Sequence, residues 1–338
     1  MSDLRVNNIT DRTGDSGPVI AGVSTVSSTG AFTVPVGPTD MRGGRGRGVA
    51  LNISNPALST VNNYITIATT GNAQDFGDQS VARYSKAGFG SPTRGFDAGG
   101  STPTFKTNIE YVTISSQGGG NEFGDLTQAR SYPAGSSNAT RGIIAGGSIP
   151  GPAQTTTIDY ITMASTGDAS DYGDLSLART YMSGAGCQST TRGIFAGGHP
   201  MTTSLIDFVL FSTGGTAKKF GELTQARSGI SAGSNTTRGI FAGGSIPSPN
   251  SGVTTIDYIT MATEGNAIDF GDATTTAFRW MGAGMYSATR GVHAGGYPAI
   301  NTIQYITIAS TGNAKDFGDL TGSVSNSGNS SDSHGGLG

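Results

Sequence analysis

From residue 47 onward the chain alternates short apolar runs with polar, glycine-rich breaks, and no stretch carries the 3.6-residue period of an amphipathic helix. The runs are rich in Ile, Val, Phe and Tyr and stop at glycine doublets or at Ser/Thr/Asn/Gly turns, the pattern of short β-strands. They recur in a fixed order. An Ala-Arg pair (Ala82-Arg83, Ala129-Arg130, Ala178-Arg179, Ala226-Arg227) leads into a strand of small residues. An Arg-Gly strand such as Arg238-Gly239-Ile240-Phe241-Ala242 follows and ends at Gly243-Gly244. The third strand reads Ile256-Asp257-Tyr258-Ile259-Thr260-Met261, and a turn then leads to a short Asp-Phe-Gly-Asp strand. In the third strand Ile158 and Tyr160 point one way while Ile161 and Met163 bring in the other side, so the sheet is expected to be covered on both faces.

The unit is copied six times. Its opening arginines are Arg47, Arg94, Arg141, Arg192, Arg238 and Arg290, and its third-strand aromatics are Tyr64, Tyr111, Tyr160, Phe208, Tyr258 and Tyr305. A second aromatic, followed by glycine, falls at Phe76, Phe123, Tyr172, Phe220, Phe270 and Phe317, 12 residues after the first in every copy. The step from opening arginine to first aromatic varies from 15 to 20. Spacing alone thus separates a rigid part of the unit from a variable one. A period of about 47 with four strands per unit predicts an all-β, six-bladed β-propeller over residues 46–338. A β-helix ranks second, because its rungs would be shorter. The first copy lacks the small-residue strand, and residues 322–336 resemble that missing strand, so a C-terminal strand is expected to complete the first blade and close the ring. Residues 1–45 stand outside the repeat. Val19–Val23 and Ala31–Val36 read as a short β arm with a turn at Ser27–Gly30, and an isolated hairpin is marginal in water, so this arm is expected to anchor the protein to a partner or to its own copies.

Composition sharpens this in three ways. Glycine occurs 55 times in 338 residues and charged residues make up 13%, which suits either disorder or dense β-turns; the regularly spaced Ile, Tyr and Phe decide for turns. A net charge of -3 gives no electrostatic attraction for nucleic acid or an anionic membrane, and the cluster Arg42–Arg47 is short enough to read as a glycine-rich linker. The single cysteine, Cys187, forms no internal disulfide, and no run has the length of a membrane span or the form of a signal peptide, so the expectation is assembly in a cytoplasm without membrane insertion.

The glycine doublets Gly99-Gly100, Gly146-Gly147, Gly197-Gly198, Gly243-Gly244 and Gly295-Gly296, the Tyr of the third strand and the Arg closing each unit resemble the kelch family. That family's tryptophan is replaced here by Phe or Tyr. The resemblance covers about residues 47–336 and implies a propeller; it says little of activity, since this fold mostly binds things. The opening Leu4-Arg5-Val6-Asn7-Asn8-Ile9-Thr10-Asp11-Arg12-Thr13-Gly14, with Val34-Pro35-Val36-Gly37-Pro38-Thr39, resembles the N-termini of virion proteins of marine tailed phages, notably cyanophages. There such segments precede fibre-like or other appendage modules.

Candidate chemistry is sparse. Asp75-Phe76-Gly77, Asp269-Phe270-Gly271 and Asp316-Phe317-Gly318 match the kinase magnesium motif, but Glu122, Asp171 and Lys219 occupy the same place elsewhere and the other kinase motifs are missing. The acids Asp78, Asp125, Asp174, Glu222, Asp272 and Asp319 are as regular as the arginines Arg94, Arg141, Arg192, Arg238 and Arg290, and the two sets are expected to pair as a structural ladder within or between blades. His199, His293 and His334 occupy different registers and do not converge on a metal. No cofactor is implied. Binding is expected in the uneven loops after the glycine doublets and at the lone tryptophan: Phe105, His199, Met201, Trp280 and Tyr297. The reading that follows is a non-enzymatic phage virion structural protein that works as a tail-fibre or appendage-type adhesin. It would join other virion proteins through residues 1–45 as a homo-oligomer and present its loops to a host-surface glycan or protein. A decoration protein without a receptor role is the first alternative, and a glycan-active propeller enzyme, for which paired acids are missing, is the second.

Overall fold

The computed structural model describes residues 46–51, 58–151, 153–182, 187–200, 202–247, 251–277, 284–325 and 327–332; the predicted arm, Met201 and Trp280 lie outside them. The described residues form no helix. Six antiparallel four-stranded sheets follow one another as the blades of a propeller. In the third blade Ala134–Ser137, Arg141–Ala145, Thr157–Thr162 and Ser170–Asp174 pair side by side in that order. The strand pattern read from the repeat is therefore the pattern observed.

The small-residue strands lie where blades crowd together. Ala87–Gly90, Ala134–Ser137, Ser231–Ser234 and Gly328–Ser331 are buried at every residue. A Cβ on Gly88 would stand 2.5 Å from Asn329 N, and one on Gly135 would stand 2.6 Å from Gly88 O. Neighbouring backbones meet there, and only small side chains fit. Farther out, the space between blades is filled by larger groups. Phe96, Ile109 and Phe123 of the second blade pack with Ile144, Ile161 and Met163 of the third. This is why the third strand is apolar on both faces.

The constant 12-residue step has two causes. The two aromatics it links meet edge to face in most blades, with ring centroids 6.1 Å apart for Tyr64–Phe76 and 6.0 Å for Tyr258–Phe270. The turn between them also reaches the preceding blade. Gly167 N donates to Phe123 O at 2.9 Å and Ala169 N to Asp125 O at 2.8 Å, and equivalent pairs recur at every junction. The last junction closes the circle, with Gly71 N donating to Phe317 O and Ala73 N to Asp319 O, both at 2.8 Å. This contact explains the glycine that follows the second aromatic: at Gly271, φ is 144° and a Cβ would lie 2.5 Å from Gly312 O of the next blade.

The opening arginines fasten the same junctions from within. Each guanidinium lies over the third-strand aromatic of its own blade, 4.4 to 4.9 Å from the ring centroid. In five blades Nη1 also donates to a carbonyl of the following blade: Arg47 to Ile114, Arg94 to Met163, Arg141 to Phe211, Arg238 to Ile308 and Arg290 to Ile67. Arg192 instead faces Glu264 at 3.6 Å.

The expected ladder between Arg94, Arg141, Arg192, Arg238 and Arg290 and the acids Asp78, Asp125, Asp174, Asp272 and Asp319 does not form. Arg141 sits opposite Thr162 at one end of the third strand, and Asp174 sits opposite Thr157 at the other. The third strand also separates them laterally, by about 10 Å. Asp78, Asp125, Asp174 and Asp272 accept instead from the hydroxyls of Thr60, Thr107, Thr156 and Thr254 at 2.6 to 3.0 Å.

The C-terminal strand Gly328–Ser331 pairs with Arg47–Leu51 and completes the first blade, as the incomplete first copy implied. It brings its own turn residue. In other blades Ser91, Asn138, Ser189, Asn235 or Ser287 accepts from the opening arginine's N–H at 2.8 to 3.1 Å across a tight turn. In the first blade Asp332 does this from the far end of the chain: Arg47 N donates to its Oδ1 at 2.8 Å, and Asp332 N donates to Arg47 O at 3.0 Å.

Candidate functional site

The connections from the second to the third strand open at the end of the blades opposite the inter-blade turns, and a buried layer holds their roots. Arg83, Arg130, Arg179 and Arg227, the arginines of the Ala-Arg pairs, have 0% exposure. Arg179 shows the geometry. Its Nη1 donates to Gly197 O at 2.7 Å and Leu205 O at 3.2 Å, one carbonyl on each side of the connection, and its Nη2 meets Asp207 at 2.8 Å. Arg227 meets Asp257 at 2.9 Å, and Arg130 pairs with Asp159. Burial pulls the pKa of Arg130, Arg179 and Arg227 below the usual arginine value, and the facing aspartates oppose that pull. These third-strand aspartates are the true partners of a repeated ion-pair layer.

From the second blade to the fifth, charge in this layer balances blade by blade. The second blade buries two cations, Arg83 and Lys86, against two acids, Asp97 and Glu110, with contacts of 2.6 to 3.4 Å. Lys86 also donates to Leu51 O at 3.1 Å, and burial lowers its pKa to about 8. In the first and sixth blades the aspartate's place is taken by neutral amides, Asn63 and Gln304. Asn63 Oδ1 accepts from Thr321 N and Oγ1, both at 2.9 Å, and Gln304 Oε1 accepts from Thr274 N at 2.8 Å. The backbone service that Asp159 and Asp257 give to Thr127 and Thr224 is thus kept without a charge.

Above this layer, the segments that follow each Ala-Arg pair turn through a left-handed residue. Ser85, Tyr132 and Tyr181 have φ of 61°, 56° and 53°, and Gly229 has 65° at the same place in the next unit. They are linked to one another: Tyr132 N donates to Ser85 O and Gly229 N to Tyr181 O, both at 2.7 Å. The rings of Tyr132 and Tyr181 overlap with centroids 3.9 Å apart, and His199 meets Tyr181 edge-on at 6.2 Å. Burial and the neighbouring Tyr132 hydroxyl raise the Tyr181 pKa, so the phenol stays protonated.

Beside Tyr181 lies a cleft of about 440 Å³ between the fourth and fifth blades. His199, Pro200 and Thr202 of the fourth-blade connection form one wall, and Ile246 and Pro247 of the fifth form the other, with Ser228 and Tyr181 completing it. No carboxylate, ammonium or guanidinium lines it among the described residues.

Of the binding residues expected from the sequence, His199 is the one among the described residues that lines this cleft. Phe105 is half-buried in a two-stranded clip, Ser101–Thr102 with Thr104–Phe105, on the second blade. Tyr297, on the sixth, is 40% exposed. Tyr132 and Tyr181 escape a reading of the sequence, because nothing in it marks them as left-handed except the glycine that replaces them in the next unit. His293 is fully buried: Nδ1 meets Ser231 Oγ at 2.7 Å and Nε2 meets Tyr286 Oη at 2.9 Å, and burial lowers its pKa to about 4.

The strand order and junctions define the class of protein, a six-bladed β-propeller. No family model matches the chain, and a search of curated proteins gives no match.

Proposed function

We propose that this is a non-enzymatic recognition protein of a tailed-phage particle, a divergent kelch-like propeller that acts as a tail-fibre or appendage-type adhesin. Residues 1–45 anchor it to other virion proteins and assemble its copies, and the propeller presents its loop face to a host-surface glycan or protein. The observation that carries this reading is a contrast within the repeat. Six junctions share the same turn-to-carbonyl contacts, whereas the connections on the loop face differ in length and sequence, and one pair of them encloses a cleft whose described lining is uncharged, against a closely packed tyrosine pair. The opening segment's resemblance to marine-phage virion proteins supplies the setting, with assembly in the host cytoplasm before incorporation in the virion.

Full-length protein, fluorescently labelled, is expected to bind marine cyanobacterial cells and to compete with phage adsorption. Particles assembled with residues 1–45 deleted are expected to lack the protein. Firm attachment to particles with no binding to any cell would replace the adhesin with a decoration protein.

A further inference from the structure

We infer that the cleft between the fourth and fifth blades is a binding subsite for a neutral sugar ring, with Tyr181 as the stacking platform. This rests on reading the loop face as the recognition surface, and it names what that surface takes. Three observations bear on the ligand's chemistry. First, the cleft offers an aromatic ring, two prolines and an isoleucine beside the hydroxyls of Tyr181, Thr202 and Ser228. A pyranose has the same division, one face of C–H groups and a rim of hydroxyls that both donate and accept. Second, the described lining holds no formal charge, which gives no purchase to a phosphate, a sulfate, a carboxylate sugar or a charged peptide. A volume of about 440 Å³ is in the range of small-molecule sites.

Third, Tyr181 is held in place at a conformational cost. A left-handed backbone is free to glycine and unfavourable to tyrosine, and the next unit solves the same turn with Gly229. Packing over Tyr132, the bond from Gly229 N and the edge of His199 fix the ring before any ligand arrives. Such pre-ordering lowers the entropy lost on binding. Beside the cleft's Ile246, Ser245 is 2% exposed and its hydroxyl has no hydrogen-bond partner among the described residues.

The test uses the full chain and saturation-transfer NMR against neutral hexose and N-acetylhexosamine oligosaccharides, with sialylated oligosaccharides and an uncharged tetrapeptide as comparison probes. Neutral sugars are expected to bind, and the acidic sugars and the peptide are not. Tyr181→Gly removes the platform while suiting the backbone, so it is expected to weaken sugar binding at least about tenfold with a melting temperature within about 3 °C of the parent. Ile268→Ala, at an exposed position on the outer strand Ile268–Asp272 of the fifth blade, is expected to leave binding unchanged. Absence of neutral-sugar binding, binding indifferent to Tyr181→Gly, or preference for the peptide would overturn the proposal. Cell binding distinguishes its failure from that of the adhesin reading: cell binding by the parent chain without neutral-sugar binding sinks the cleft alone, and sugar binding without cell binding sinks the adhesin alone.

Discussion

Asn63 shows how strictly buried charge is matched in this protein. It stands where a neighbouring unit carries an acid facing a buried arginine, and the first blade, which has no Ala-Arg pair, has no acid there either. The rule is that an unpaired ion in a dry interior costs far more than a neutral amide. Arg179→Met should therefore lose about 3–5 kcal/mol of stability, because Asp207 is left buried without its partner. Adding Asp207→Asn should restore at least half of that loss in urea unfolding; a double variant no better than the single one would refute the charge-matching explanation. His293 makes a related prediction with pH. Its folded pKa is lowered to about 4, so between that value and the ordinary 6.5 the folded state binds fewer protons than the unfolded one. Its stabilisation is complete above pH 6.5 and declines as pH falls toward 4, by roughly 3 kcal/mol in all. Urea midpoints measured across that window should fall, and the slope should flatten in His293→Gln.

At the scale of elements, the repeat was legible because each landmark has a steric or geometric job. The aromatic pairs, the glycine doublets and the small-residue strands could be placed from spacing alone, and the structure puts them where the spacing implied. Partners were less legible. Regularity shows that Arg141 and Asp174 are structural, yet it cannot show that they lie at opposite ends of the third strand. Asp159 passed as one letter of a strand motif although it holds the buried charge of its blade. The cleft was hidden for a different reason: its key residue depends on a backbone sign at Tyr181 and on the meeting of two blades, and neither has a local sequence pattern. The glycine after the second aromatic gives the sharpest element-scale test. Gly271→Ala combines a left-handed φ with a clash against Gly312 O and should cost roughly 3 kcal/mol, read from thermal unfolding. A loss below about 1 kcal/mol would mean that the junction between blades yields more easily than these contacts imply.

For the whole molecule, closure is the decisive feature. Gly328–Ser331 covers the edge of Arg47–Leu51, and Arg290, Gly71 and Ala73 tie the last blade to the first. A chain ending at Val324 would keep those last ties but expose the strand edge of the first blade. Free strand edges recruit other chains, so the shortened protein should melt at lower temperature and run as concentration-dependent oligomers in size-exclusion chromatography, where the full chain should give one species. Unchanged melting and elution would show that the terminal strand contributes little to the ring.

The junctions between blades carry one more implication. Because every junction repeats the same turn-to-carbonyl pair and five of the six repeat the arginine's carbonyl contact, a blade meets its neighbours in nearly the same way while its loop differs. Identical stretches such as Thr237–Gly244 and Thr191–Gly198 mark equivalent points beside those loops. An exchange between two such stretches, in register, would deliver a foreign loop into an intact ring. The repetition that makes the scaffold uniform thus leaves the loops able to change one at a time, without having to solve the fold again.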